Sequence, residues 1–79
     1  EEFALLYVGQ DPASVRAELE RLREAIAACD CSGFAAGLTL SVSIGVSDQG
    51  GLAHPERMVS RADTRLYEAK NTGRNRVCG

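Results

Sequence analysis

Glu1 and Glu2 stand side by side, directly before the apolar run Phe3–Val8. Adjacent carboxylates repel unless water or a shared cation separates their charge. On a regular strand, neighbouring side chains point to opposite faces. Both acids can therefore reach one metal ion only where the chain turns. At the other end, Lys70, Arg74 and Arg76 fall within seven residues, with Gly73 among them. Cations suit the negative end of a helix dipole. The same cluster also suits a phosphate, because Lys offers a point charge and Arg a planar fork. The residues alone leave both readings open.

The elements that must position these groups follow from periodicity. Phe3–Val8 reads as a strand buried on both faces. Asp11-Pro12 starts a helix, with Asp as N-cap and Pro at the first helical position. Val15, Leu19, Leu22, Ile26 and Cys29 form its apolar stripe. Arg16, Glu18, Glu20, Arg23 and Glu24 lie off that stripe and read as a solvated face. Arg16–Glu20 and Glu20–Arg23 have the spacing of helical ion pairs.

Residues 30–37, DCSGFAAG, read as a loop. Leu38–Val46 then alternates, with Leu38, Leu40, Val42, Ile44 and Val46 on one face and Thr39, Ser41, Ser43 and Gly45 on the other. The small face allows a close approach by another backbone or a ligand. Gly50-Gly51 falls in a turn or loop. His54-Pro55 begins a second helix, with Met58, Val59, Ala62, Leu66 and Ala69 as its apolar stripe. His54 reads as a surface residue in an N-cap-like position. Gly73 ends this helix, and Asn75–Cys78 is a short last strand. The predicted order is β-α-β-α-β, an α+β arrangement with helices flanking a small mixed sheet and with open strand edges.

The 79 residues permit one small domain, and 44% hydrophobic with 25% charged residues predicts folding rather than disorder. A net charge of −2 argues against bulk binding to a nucleic-acid polymer or an acidic membrane. The apolar runs are far too short to span a membrane. Cys29, Cys31 and Cys78 make an odd count with no visible secretory signal, which predicts reduced thiols and a cytoplasmic setting. Cys29 and Cys31 form C-x-C rather than a C-x-x-C knuckle, with no histidine beside them, so they read as structural thiols. The start on Glu1 rather than Met reads as a piece of something longer.

Taken in order, EEF before an apolar strand, then SVSIGV, then RADTRLYEAKNTGRNRV, resemble the GGDEF domain of diguanylate cyclases. The first matches the tail of the GG(D/E)EF signature. The others match that family's later strand, its R-A-D-x-A-L-Y-x-A-K helix and its G-R-N-R close. The resemblance covers essentially residues 1–79, as the C-terminal part of one such domain. It implies a nucleotidyl-cyclase, palm-like (ferredoxin-like) fold. It also implies condensation of two GTP into cyclic di-GMP by two domains facing each other as a homodimer.

By the same resemblance Glu1 is a metal ligand, and Glu2 serves metal binding and catalysis. Lys70 and Arg74 grip the triphosphate, and the cofactor is Mg²⁺ or Mn²⁺. Arg76 reads instead as a strand residue or an ion-pair partner of Asp63. The resemblance further implies fusion to a sensory or receiver domain. The family's two glycines, its upstream metal-binding Asp, its guanine-recognising Asn and Asp, and its R-x-x-D inhibitory site fall outside these residues. The chain alone is therefore expected to be inactive, and unstable or paired through its open edges. Two other classes are alternatives, the first told apart only by the residues that precede Glu1. A degenerate domain would bind GTP or cyclic di-GMP only for regulation or docking. A stand-alone phosphate-binding module explains the basic end but not EEF.

Overall fold

The computed structural model describes residues 2–31, 33–48 and 53–79. Glu1 and the Gly50-Gly51 turn lie outside the described residues. The elements are α1 (Pro12–Ala27), β1 (Ile44–Gly45), α2 (Pro55–Asn71) and β2 (Val77–Cys78).

Helix α1 begins where the sequence places it. Asp11 caps it, its carboxylate accepting from the Ser14 backbone N–H at 3.2 Å. Helix α2 begins at Pro55 after His54, whose side chain makes no cap hydrogen bond. It ends at Asn71 with Thr72 as C-cap, Gly73 follows at φ 126°, and the Arg74 N–H donates to the Ala69 carbonyl at 2.8 Å. That bond closes the helix as a Schellman-type cap.

Strands β1 and β2 pair in parallel, Ile44 with Val77 and Gly45 with Cys78. Parallel strands need a crossover, and α2 supplies it. The alternation expected around Ile44 assigns one helix to each face. Ile44 and Val46 pack with Val77 against Val15 and Leu19 of α1. Gly45 turns to α2, where an added Cβ would overlap the Ala62 carbonyl and the Leu66 backbone. The small face of this strand is thus where a second backbone comes close.

Three expectations need correction. Phe3–Val8 forms no strand, and Phe3, Leu5, Leu6 and Val8 are 63–88% exposed. Only Tyr7 of that run is half-buried, packed against the core. An apolar run becomes a buried strand only when other strands pair with it, and none of the described residues does so. For the same reason the strand expected over Leu38–Val46 shrinks to Ile44–Gly45, leaving Leu38 and Leu40 exposed. The sheet among the described residues is one parallel pair rather than a mixed sheet.

The stripe of α1 is also shorter than its spacing suggests. Val15 and Leu19 are buried, whereas Leu22 and Cys29 are exposed. Val59, placed on the α2 stripe, is exposed as well. The accessible surface is 5864 Å², against about 4600 Å² for a compact chain of this mass. Among the described residues, no helix is long and apolar enough to cross a membrane.

Candidate functional site

Lys70 sits in the last turn of α2 and is half-buried. Its Nζ lies 3.3 Å from Oε2 of Glu2, 68 positions away in sequence. The fold therefore joins one residue from each end of the chain that sequence reasoning had singled out. Both side chains remain open to solvent, Lys70 at 37% and Glu2 at 62%. Their charges stay accessible to an incoming ligand.

Asp63, Leu66 and Tyr67 complete a recess around this pair, with a volume of about 220 Å³. All three come from α2. Asp63 is two turns before Lys70, and Leu66 and Tyr67 are one turn before it. That spacing was visible in the sequence and could have placed them on one helix face. The recess has an apolar wall (Leu66), an exposed aromatic ring (Tyr67), two carboxylates and one ammonium.

Arg74 lies beyond the Gly73 turn and is exposed. Its backbone takes the left-handed region, φ 63°, as does that of Asn75, φ 46°. Consecutive left-handed residues other than Gly are uncommon. Hydrogen bonds from three donor groups fix them. The Arg74 N–H donates to Ala69, and Arg76 Nε donates to the Arg74 carbonyl at 3.0 Å. From α1, Arg23 Nη1 donates to Asn75 Oδ1 at 3.0 Å.

Two expected ion pairs are replaced. Arg76 binds the Arg74 carbonyl and not Asp63, because the tight turn folds its guanidinium back over Gly73. Arg16 reaches the carbonyls of Val77 (3.2 Å) and Gly79 instead of Glu20, tying α1 to the end of β2. The Glu20–Arg23 pair forms as the spacing predicts. Sequence reading placed Arg23 on the solvated face and missed its grip on Asn75, because no local pattern reports a contact 52 positions away.

The recess presents some of the donors that the divalent cation implied by the resemblance would need. Glu2 and Asp63 offer the oxygen ligands that Mg²⁺ and Mn²⁺ prefer. No group of three or more His, Cys, Asp or Glu side chains stands together among the described residues. Glu2 suits one ligand position, and the described residues do not form a complete metal site.

The three cysteines are free thiols. Cys31 is buried, and its Sγ lies 3.8 Å from the Cys29 carbonyl. Burial, then the neighbouring Cys29, pushes its thiol pKa above the ordinary value. A thiol so placed stays protonated and unreactive, in keeping with a structural role.

Residues 1–76 match the model of the diguanylate cyclase GGDEF domain. The chain belongs to the GGDEF family. It is 39% identical over 77 residues to the diguanylate cyclase DgcP of Pseudomonas aeruginosa, covering 98% of this chain and 12% of that protein. It is 38% identical over 80 residues to the probable diguanylate cyclase DgcT of Escherichia coli K12, covering 98% of this chain and 18% of that protein. It is 33% identical over 78 residues to diguanylate cyclase A of Treponema denticola, covering 98% and 21%. The chain thus spans 12–21% of the length of these relatives. No solved structure matches it.

Proposed function

We propose that this chain is the triphosphate-holding part of a diguanylate cyclase domain, which joins two GTP into cyclic di-GMP with release of two pyrophosphates. The observation that carries the reading is the meeting of Lys70 and Glu2 at one recess, 3.3 Å apart. Glu2 belongs to the signature at the start of the chain and Lys70 to the helix near its end. Only the fold makes them neighbours.

Each residue has a distinct task in this reading. Lys70 takes up negative charge on the triphosphate as a point cation, and Arg74 does so as a fork. At a helix C-terminus the dipole opposes an anion, so side-chain cations must provide the neutralising charge. When the 3′-hydroxyl of one GTP attacks the α-phosphorus of the other, the bond to the leaving pyrophosphate breaks and its oxygen gains charge. Lys70 and Arg74 are the groups suited to stabilise that charge. Glu1 and Glu2 would hold the divalent cation, Mg²⁺ or Mn²⁺, which would supply phosphate neutralisation and a lower pKa for the attacking hydroxyl. Two such domains meet as a homodimer, since each brings one nucleotide. The parent protein is cytoplasmic in this part and carries a sensory or receiver domain, a reading in keeping with the much greater length of its relatives.

The test is to incubate the intact domain with GTP and Mg²⁺ and follow cyclic di-GMP by chromatography. Product is expected. Binding of GTP or cyclic di-GMP without product would move the protein to the regulatory class and leave Lys70 and Arg74 as a binding site. Neither product nor binding would overturn the reading.

A further inference from the structure

Arg23 of α1 makes contacts that the proposed function does not use. All three guanidinium nitrogens are engaged. Nε bonds Glu20, Nη2 lies 3.7 Å from Glu24, and Nη1 reaches across to the loop after α2. There it donates to Asn75 Oδ1 at 3.0 Å and lies 3.4 Å from the Asn75 carbonyl. The Arg23 side chain is only 18% exposed, against 65% for Glu24 beside it. This is a clamped cation rather than a member of a solvated face.

What it clamps is a strained segment. Left-handed geometry is unfavourable for an L-residue, and less so for Asn. Such geometry persists only where surrounding contacts over-determine it, which is common at ligand clamps. Here Arg74 and Asn75 share it in succession. The Ala69 carbonyl holds the segment from its own helix, and Arg76 holds it from the strand side. Arg23 adds a side-chain tie from another helix, anchored in turn by Glu20 and Glu24. Arg74 is the residue whose direction this geometry sets.

We propose that Arg23 is a positioning residue for Arg74, acting through Asn75 to hold the anion-binding turn in its left-handed form. The inference rests on the reading of Arg74 as a triphosphate ligand. Arg23 itself touches no nucleotide. Its task is to make the turn rigid before the phosphate arrives, so that binding does not have to order it.

The experiment uses the full-length protein carrying this sequence. GTP dependence of cyclic di-GMP formation and equilibrium binding of a non-hydrolysable GTP analogue are measured for the parent protein, Arg23→Ala, Asn75→Ala, their double variant and Arg74→Ala. Arg23→Ala and Asn75→Ala are each expected to weaken nucleotide binding and raise KM about tenfold, the scale of one lost hydrogen bond to a charged group. The double variant should be no worse than either single one, since both break the same link. A purely structural role would instead lower Tm and kcat and leave KM in place.

Unchanged KM and binding in Arg23→Ala, with a raised KM in Arg74→Ala, would overturn the proposal and leave the reading of Arg74 standing. Unchanged KM and binding in Arg74→Ala would remove that reading and the proposal with it. Were Arg23→Ala not to fold, the exposed Asn75→Ala decides between the same outcomes through the same two measurements.

Discussion

The Lys70 ammonium stands 3.3 Å from the Glu2 carboxylate, although 68 positions separate them in the chain. Both partners are more than one-third exposed, so the pair contributes at most about 1 kcal/mol to stability. Its consequence is for binding. In the proposed reading a phosphate on Lys70 would compete with Glu2 for its charge. Lys70→Met in the intact domain should weaken GTP binding by at least about tenfold. Glu2→Gln should tighten binding measured in a chelator, because the competing carboxylate is gone, while cyclase activity falls. Calorimetric titration of both variants checks the opposite signs, and a shift in the same direction for both would sink the idea.

Gly45 is where β1 meets α2. A Cβ there would lie 2.8 Å from the Leu66 Cα and closer still to two backbone atoms. Backbone cannot yield as a flexible side chain does. Gly45→Ala should therefore destabilise the intact domain by about 1–3 kcal/mol or more. The urea midpoint of the variant, with an unchanged m-value, reads this directly. A midpoint equal to that of the parent protein would show that the helix does not sit on Gly45.

Gly73 is held at φ 126° with the Arg76 guanidinium folded over it. Gly73→Ala places a Cβ in an unfavourable backbone region and against that guanidinium. A loss of about 1–2 kcal/mol is expected from the backbone alone. The same substitution should raise KM for GTP, because the turn aims Arg74. Stability and KM measured together separate the two effects, and an unchanged KM would detach the turn from binding.

Asp11 holds the start of α1 through the Ser14 N–H. Asp11→Ala should cost about 1 kcal/mol of stability. Asp11→Ser keeps an acceptor oxygen and should recover most of it. Thermal melts of the two variants would refute the cap if they coincided.

Cys31 gives the domain a pH dependence of definite sign. Its thiol pKa is raised in the folded state, first by burial and then by Cys29. The unfolded chain ionises this thiol at lower pH, so it binds fewer protons than the folded chain in alkaline solution. The contribution of Cys31 to stability is complete below the ordinary thiol pKa of 9.0 and is lost as pH rises through the higher folded value. Denaturant midpoints between pH 7 and 10.5 should fall at the alkaline end, and Cys31→Ala should flatten that fall. Alkylation should reach exposed Cys29 before Cys31. Equal labelling rates would contradict the burial.

Local signals carried far in this chain. Asp11-Pro12 and His54-Pro55 mark both helix starts, and Gly73 marks the second stop, because caps and the φ limits of Pro and Gly act within one turn. The alternation around Ile44 sets which side chains face which helix, because a strand has a period of two. The short motifs at both ends carried the family resemblance, since their residue types and spacings are themselves chemical requirements. Strand formation at Phe3–Val8 was beyond local reading. An apolar run states that it wants burial, but whether it is buried depends on partner strands.

The sequence by itself therefore determined where the helices begin and which helix each face of β1 meets. Only the tertiary structure decided that Lys70 meets Glu2, that Arg16 ties α1 to β2, and that Arg23 holds Asn75. Those contacts span 52 to 68 positions. A charged side chain carries no local mark of its distant partner, because Coulomb attraction selects for position in space and not for spacing along the chain.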